Sequence, residues 1–175
     1  VAAVEELERA GLEVIGFHAT GVGGATMEKM AEEGLVDGIL DLTLHELTSE
    51  YFGGGFSYGE AANTRLVKSV DKKVPLVISL GGLDFVDFST NELPGRMDER
   101  KYMLHNANTA HIKILPEEAK ALGEIVAERL SKVTYPVKLL IPTKGMRHNT
   151  EKGEELYSPE SDSVLIQTII DKVND

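Results

Sequence analysis

The residues with the clearest chemical potential lie in the stretch GFHATGVGGATMEKM, residues 16–30. An apolar run precedes the glycines and a helix-like run follows them, which predicts a strand, a glycine-rich turn and a helix. Gly21, Gly23 and Gly24 have no Cβ, so their backbone N–H groups can approach a ligand closely. A helix N-terminus favours anions. The turn, with the hydroxyl of Thr20, is therefore a candidate phosphate cradle, and a tight turn without a ligand explains the same residues equally well.

The glycine turn completes neither of two standard nucleotide motifs. The dinucleotide fingerprint needs a glycine where Thr26 stands, and the P-loop needs Gly-Lys-Ser/Thr. Asp41 follows the next predicted strand, where a dinucleotide fold places its ribose-binding acid. The alternative for Asp41 is an exposed strand end.

A second polar group follows the apolar run VPLVISL, residues 74–80. Gly81 and Gly82 end this predicted strand, and Asp84 and Asp87 come just beyond. A carboxylate at this place can hold a divalent cation or a ligand hydroxyl, so Asp84 is the candidate metal ligand. The alternative is a turn in which the aspartate caps the backbone.

Two loops add basic, imidazole and amide groups. His105 and Asn106 lie in RKYMLHNANTAH and suit recognition of a polar or phosphorylated ligand, whereas His111 is assigned to the following strand and interpreted as structural. In IPTKGMRHN, Lys144 and Arg147 could neutralise an anion. A solvated loop is the alternative there.

An enzyme is the competing interpretation of the same residues. His18, Glu46, Asp84 and His105 would then act as acid, base or metal-binding groups. The segment HELTSE lacks the second histidine of the zinc-protease helix, because Ser49 stands at that position. The nucleophile motif G-x-S-x-G is absent, so no serine triad is assigned.

The glycine run 53–55 lies between aromatic residues. It predicts either a loop that closes over a ligand, with Tyr51, Ser57 and Tyr58 as polar contacts, or a plain connection.

Predicted helices and predicted strands, which must position these residues, alternate along the chain. This alternation predicts an α/β protein with a mostly parallel sheet and helices on both faces. Because ligands bind beyond the carboxyl ends of such strands, the loops after residues 17, 41, 80 and 141 should share one crevice. The predicted strands are 12–18, 36–42, 74–80, 110–116 and 135–142; the predicted helices are 1–10, 25–34, 44–52, 60–73, 116–132 and 162–173. Residues 81–108 are predicted to be irregular.

Length and composition limit the classes of protein to which the chain can belong. A chain of 175 residues fits one domain, and the net charge of −11 argues against duplex nucleic acid as a partner. There are no cysteines, and no apolar run approaches the ~20 residues of a membrane span. We expect no membrane partner and a cytoplasmic location. The chain has no initiator Met and opens on a helix with no strand before it, which predicts a piece of a longer protein.

The motifs GFHATGVGGATMEKM, GLVDGILDLTLHEL, GGLDFVDF, LHNAN and VKLLIPTKG occur in this order over nearly the whole chain. Together they resemble the second half of the Tm-one-like ATP-binding domain family, two-domain proteins that include the N-terminal region of the tomato tobamovirus-resistance protein. The sequence departs from the family at Ala107, where a proline is usual, and at Lys144, where an arginine is usual.

The resemblance implies a Rossmann-like three-layer sandwich that forms the C-terminal lobe of a two-lobe protein. In the family, its first strand would precede Val1 and a further strand would normally follow Asp175. The resemblance also implies an interdomain cleft that binds ATP or another nucleotide, with Mg²⁺ possible, and a homodimer. In that arrangement the amides of residues 20–24 hold phosphates, Asp84 holds the ion or a hydroxyl, and His105, Asn106 and Lys144 contact the polar edge of the ligand. A dimerising interaction module is the third interpretation.

Overall fold

The computed structural model describes residues 2–53 and 65–174, which form a mixed α/β arrangement. The helices are α1 (Ala2–Arg9), α2 (Val22–Glu32), α3 (His45–Phe52), α4 (Lys68–Asp71), α5 (Pro116–Ser131) and α6 (Pro159–Asn174), with 3₁₀ turns at Met97–Glu99 and His148–Thr150. The strands are β1 (Ile39–Asp41), β2 (Leu76–Ser79), β3 (Phe85–Ser89), β4 (Tyr102–Asn106), β5 (Thr109–Lys113) and β6 (Lys138–Leu140).

The strands form two separate three-stranded sheets. The first is parallel, in the order β1-β2-β6, and the second is antiparallel, in the order β3-β5-β4. The α/β class and a parallel sheet are thus confirmed. The prediction of a mostly parallel sheet is wrong for the described strands, because half of them pair antiparallel.

The predicted first strand, residues 12–18, is not a strand in the structure. Leu12 and Ile15 are 55% and 52% exposed. An apolar run becomes a strand only where a neighbouring strand completes its backbone hydrogen bonds, and no described strand pairs with this segment.

Residues 81–108 were predicted to be irregular, and this is also wrong. They contain β3, β4 and the 3₁₀ turn between them. β4 and β5 form a tight antiparallel pair with a register shift between Leu104 and Asn106. In FVDFS, polar residues alternate with apolar ones, as in a strand with two different faces. Five residues are too few for this alternation to give a clear signal.

The main core lies between the parallel sheet and the helices. It joins Leu76 and Ile78 of β2 to Leu122 and Val126 of α5 and to Leu165 of α6. Helix α5 forms as predicted because its apolar residues recur with the helical period. Pro116 lies in its first turn, and Glu117 and Glu118 lie beside the helix N-terminus, where negative charge is favourable.

A smaller apolar cluster lies on one face of the antiparallel sheet. Its buried members are Val86, Phe88, Ala110 and Ile112. Because side chains alternate across a strand, Asp87 and His111 point to the opposite face. On that face Asp87 lies beside His45, the first residue of α3.

Within the described ranges, no helix is long and apolar enough to cross a membrane. The predicted closing loop falls mainly on residues 54–64, so Ser57 and Tyr58 lie outside the described part of the chain, while Tyr51 belongs to α3. Of the helix predicted over residues 60–73, the described part contains the four-residue α4.

Candidate functional site

A cavity of about 320 Å³ lies where the glycine turn, α3 and the antiparallel sheet meet. Its lining residues are His18, Ala19, Thr20, Gly21, His45, Glu46, Ser49, Asp87, His105, Asn106, Thr109 and His111. The chain has five histidines, and four of them line this cavity. The structure thus brings together His18, Thr20, Gly21, Glu46, His105 and Asn106 from the residues that the sequence singled out.

Asp87 links two of these histidines. Asp87 and His111 are directly opposed across β3 and β5, and His111 Nδ1 donates a hydrogen bond to Asp87 Oδ1. His45 Nε2 lies 3.2 Å from Asp87 Oδ2. Burial would raise the pKa of Asp87, but the hydrogen bonds that it receives from His111 and His45 outweigh burial, and the pKa falls well below its usual value.

His111 is held as one particular tautomer. Its Nδ1 proton is committed to Asp87, so the neutral ring carries an unprotonated Nε2. This Nε2 is buried and has no hydrogen-bond partner among the described residues. His111 is 5% exposed and lines the cavity. The ring of His105 packs beside that of His111, with centroids 4.5 Å apart. An imidazole that a carboxylate orients meets one requirement of a general base, and access of a ligand to its free nitrogen is the other.

His45 is fixed from three sides. Its Nδ1 lies 3.0 Å from the carbonyl oxygen of Gly82, its Nε2 faces Asp87, and its ring stacks on Phe85 with centroids 4.3 Å apart. A carbonyl and a carboxylate only accept hydrogen bonds, so a doubly protonated ring satisfies both contacts, whereas a neutral ring satisfies one.

The glycine turn already holds an anionic group of the protein itself. The backbone N–H groups of Gly21 and Gly24 donate to Glu46 Oε1 at 2.5 Å and 3.1 Å. A Cβ on Gly24 would lie 1.9 Å from Glu46 Oε2. Position 24 therefore requires glycine, because the Glu46 carboxylate lies where a side chain would be.

Position 23 requires glycine for a different reason. A Cβ at this position would lie 2.0 Å from the carbonyl oxygen of His18, which also accepts the N–H of Thr20 at 2.8 Å. Gly23 and Gly24 belong to the first turn of α2 and do not line the cavity. That the turn holds a phosphate stays a prediction.

Arg65 stands behind Glu46. It donates to Glu46 Oε2 and to Asp41 Oδ2, and all three side chains are buried. Burial raises the pKa of Asp41, although Arg65 opposes that effect. Asp41, the predicted ribose acid, is thus bound to an arginine and is absent from the described cavity lining.

Asp84 lies away from the cavity. Lys113 Nζ is 2.6 Å from Asp84 Oδ2 and 2.6 Å from Asp162 Oδ1. Asp84 is fully buried, and its Oδ1 has no partner in the described part of the chain. Residues 2–53 and 65–174 contain no group of three or more His, Cys, Asp or Glu placed to hold a metal ion.

The remaining predicted residues support the site or lie outside it. Gly82 has a φ of +75° and presents its carbonyl to His45. A Cβ on Gly81 would lie 2.6 Å from the carbonyl oxygen of Leu42. Lys144 is exposed and does not line the cavity.

The residues at the centre of the site, His45, Asp87 and His111, were not among the predicted site residues: Asp87 was named only beside Asp84, and His111 was interpreted as structural. A signal was present in the strands FVDFS and TAHIK, which carry polar residues at alternate positions. Two strands with a polar face each, once paired, bring those faces together. The single sequence does not say that His45, at the start of α3, lies beside that face.

The family profile and the similar proteins point to one family, and they match nearly the whole chain. The profile of the Uncharacterised protein family (UPF0261) C-terminal domain matches residues 1–175. A UPF0261 protein of Clostridium tetani is 35% identical over 98% of this chain and 42% of that protein. A UPF0261 protein of Rhizobium meliloti is 34% identical over 99% of this chain and 43% of that protein.

A relative from tomato carries a descriptive name. The ToMV resistance protein Tm-1(GCR237) of Solanum lycopersicum is 33% identical over 94% of this chain and 22% of that protein. The chain thus spans about two fifths of these bacterial relatives and about a fifth of the tomato relative. On the family profile and these identities, the chain belongs to the UPF0261 family, of which it represents the C-terminal domain.

Proposed function

We propose that the cavity is an active site that carries out acid–base chemistry on a small polar molecule. One observation supports this most directly: the buried His111 Nε2 has no partner in the described residues, while Asp87 fixes the opposite nitrogen. A bare, buried ring nitrogen is costly in a purely structural histidine. It is useful where a ligand supplies the proton.

In this proposal His111 Nε2 accepts a proton from an O–H, N–H or C–H group of the bound molecule. The ring becomes an imidazolium, and Asp87 stabilises its charge through the Nδ1–H contact. The same proton can then return to the product. Glu46 and Arg65 keep the glycine turn and α3 in place, so the cavity keeps its shape through the reaction.

The test is conversion of a panel of small metabolites by the 175-residue chain, followed by mass spectrometry. We expect His111→Gln to lower conversion by about 10²–10⁴, the usual contribution of a positioned acid or base. His148→Gln is the control, since His148 is absent from the described lining and should leave conversion unchanged. Full activity in His111→Gln would contradict the proposal.

A second candidate is a site for ATP or another nucleotide, with or without Mg²⁺. It is favoured by the glycine turn, whose amides hold the carboxylate of Glu46 and therefore suit an anion. The name of the family that the sequence resembles points the same way. Thr20 lies at the exposed rim of the cavity next to this turn.

Calorimetric titration of Mg-ATP into the parent tests this candidate. A carboxylate introduced by Thr20→Asp should repel the phosphates and remove saturable binding. Thr26→Asp places the same charge on an exposed residue outside the described lining, and should leave binding intact. Equal binding in both variants would place the nucleotide elsewhere.

We further infer a cytoplasmic location, a Rossmann-like three-layer arrangement completed in a two-lobe protein, and pairing into homodimers. The length of the bacterial relatives supports the second lobe, because the chain covers about two fifths of them. A dimerising interaction module remains the third interpretation. Sedimentation velocity over a range of concentrations would test the dimer, and a single monomer species throughout would exclude it.

A further inference from the structure

We infer that the ring of His105 is a movable cover over the free nitrogen of His111, and that the reacting group of a ligand takes the place of this ring. The inference rests on the proposed acid–base function and names how a ligand reaches the base. Three observations carry it: the burial of His111 Nε2, the direction in which that nitrogen points, and the weak attachment of the His105 ring.

His111 Nε2 is closed to a ligand in this arrangement of side chains. His111 is 5% exposed, and its Nε2 is buried without a hydrogen-bond partner in the described part of the chain. A general base must come within hydrogen-bond distance of the proton that it accepts, so a neighbouring group has to move first. His105 is such a neighbour, because its ring lies against that of His111 with centroids 4.5 Å apart and planes inclined by 50°.

The order of the strands places His105 on the side toward which this nitrogen points. In the antiparallel sheet, β5 lies between β3 and β4. Asp87 on β3 binds Nδ1 of His111. Because the two nitrogens lie on opposite edges of an imidazole ring, Nε2 is directed away from β3 and toward the side of β4. His105 belongs to β4, so its ring covers the edge of His111 that carries Nε2.

His105 can leave this position without breaking a hydrogen bond. It is exposed, and no hydrogen bond or ion pair holds its side chain among residues 2–53 and 65–174. It also lies at the register shift between Leu104 and Asn106, where it has no directly opposed residue on β5. Exposed side chains change rotamer rapidly. His111, in contrast, is fixed by its hydrogen bond to Asp87.

Movement of the cover would join His111 Nε2 to the cavity. Both histidines line that cavity, so a turn of the His105 ring away from His111 leaves a space beside Nε2. The reacting O–H, N–H or C–H group of a ligand then occupies this space. The covered state and the ligand-bound state exclude each other, and the ligand selects the open one.

The experiment measures how fast diethyl pyrocarbonate labels each histidine of the 175-residue chain, with mass spectrometry of the peptides. The reagent acylates an accessible, unprotonated imidazole nitrogen, so His111 should be labelled slowly beside the exposed His148. We expect His105→Ala to speed the labelling of His111 by about 10–10³-fold, because minor open states are typically populated at about 0.1–10%. His105→Phe keeps a ring at this position without its nitrogens and should leave the labelling slow.

His18→Ala is the matched control for the loss of a ring. His18 is another exposed histidine of the cavity lining, and within the described structure no ring contact joins it to His111. Its removal should leave the labelling of His111 slow. The inference is overturned if His111 is labelled as fast as His148 in the parent. It is also overturned if His105→Ala changes the rate no more than His18→Ala or His105→Phe does.

Conversion by His105→Ala separates a cover from a catalytic group. We expect a lower KM, because the ligand no longer competes with the ring for its place. A fall in conversion by about 10²–10⁴ would instead identify His105 as an acid or base and overturn the inference. Failure of the proposed function looks different: His111→Gln would keep its conversion, while the labelling rates of His111 would still differ between the parent and His105→Ala.

Discussion

The backbone N–H of Gly21 donates to Glu46 Oε1 at 2.5 Å, and this contact ties the glycine turn to helix α3. Glu46 also accepts from Gly24 and from Arg65, and its side chain is 3% exposed. The carboxylate thus joins the two segments that form one wall of the cavity. Its loss would leave a buried arginine and two backbone N–H groups without this acceptor.

We expect Glu46→Ala to lower the free energy of unfolding by about 3 kcal/mol, because breaking a buried ion pair strands its partner. Urea denaturation of both proteins measures the difference. Glu33→Ala is the matched control, since its contact with Lys29 is exposed and 3.8 Å long, and it should change stability by less than about 0.5 kcal/mol. Similar losses in the two variants would contradict this account.

Asp87 should make stability depend on pH in the acidic range. Its pKa is lowered in the folded chain, so the folded state binds the proton less readily than the unfolded state. The stabilisation is fully present above the unfolded-state pKa of about 3.9 and declines as the pH falls toward the lower folded-state value. Thermal unfolding between about pH 7 and pH 2 should show this decline, and Asp87→Asn should reduce it. An unchanged acid dependence in Asp87→Asn would show that other carboxyl groups dominate.

Gly23 and Gly16 offer a direct comparison of two glycines. A Cβ on Gly23 would lie 2.0 Å from the His18 carbonyl oxygen, whereas a Cβ on Gly16 has no atom within 4 Å. We expect Gly23→Ala to cost about 1–3 kcal/mol through the forced shift of the turn, and Gly16→Ala to stay within about 0.5 kcal/mol. Thermal unfolding of the two variants measures this difference in stability. Equal melting temperatures would mean that the turn relaxes without cost.

Lys113, the last residue of β5, neutralises the buried carboxylate of Asp84. Its side chain is 2% exposed and contacts Asp84 and Asp162 at 2.6 Å each. Lys113→Met should destabilise the chain by about 3 kcal/mol, because Asp84 would keep a buried charge without its partner. Lys120→Met, at an exposed position of α5, is the control. The double variant Lys113→Met with Asp84→Leu should recover part of the loss, and a further loss would argue against this pairing.

Much of the fold followed from local pattern. The period and first-turn residues of α5, the uninterrupted apolar run of β2 and the short run of β1 all identified their elements. The predicted strand over residues 12–18 failed because strand formation needs a partner, which hydrophobicity alone does not supply. β3 and β4 were missed because five residues of alternation give a weak signal.

The sequence by itself determined which residues could do chemistry, and six of the predicted ones line one cavity: His18, Thr20, Gly21, Glu46, His105 and Asn106. The tertiary structure decided their roles. It placed Asp87 opposite His111 and against His45, bound Glu46 to the glycine turn, and occupied Asp84 with Lys113. The reason is physical: a residue's type limits the bonds it can form, but the partners that burial brings within hydrogen-bond distance determine which bond is made.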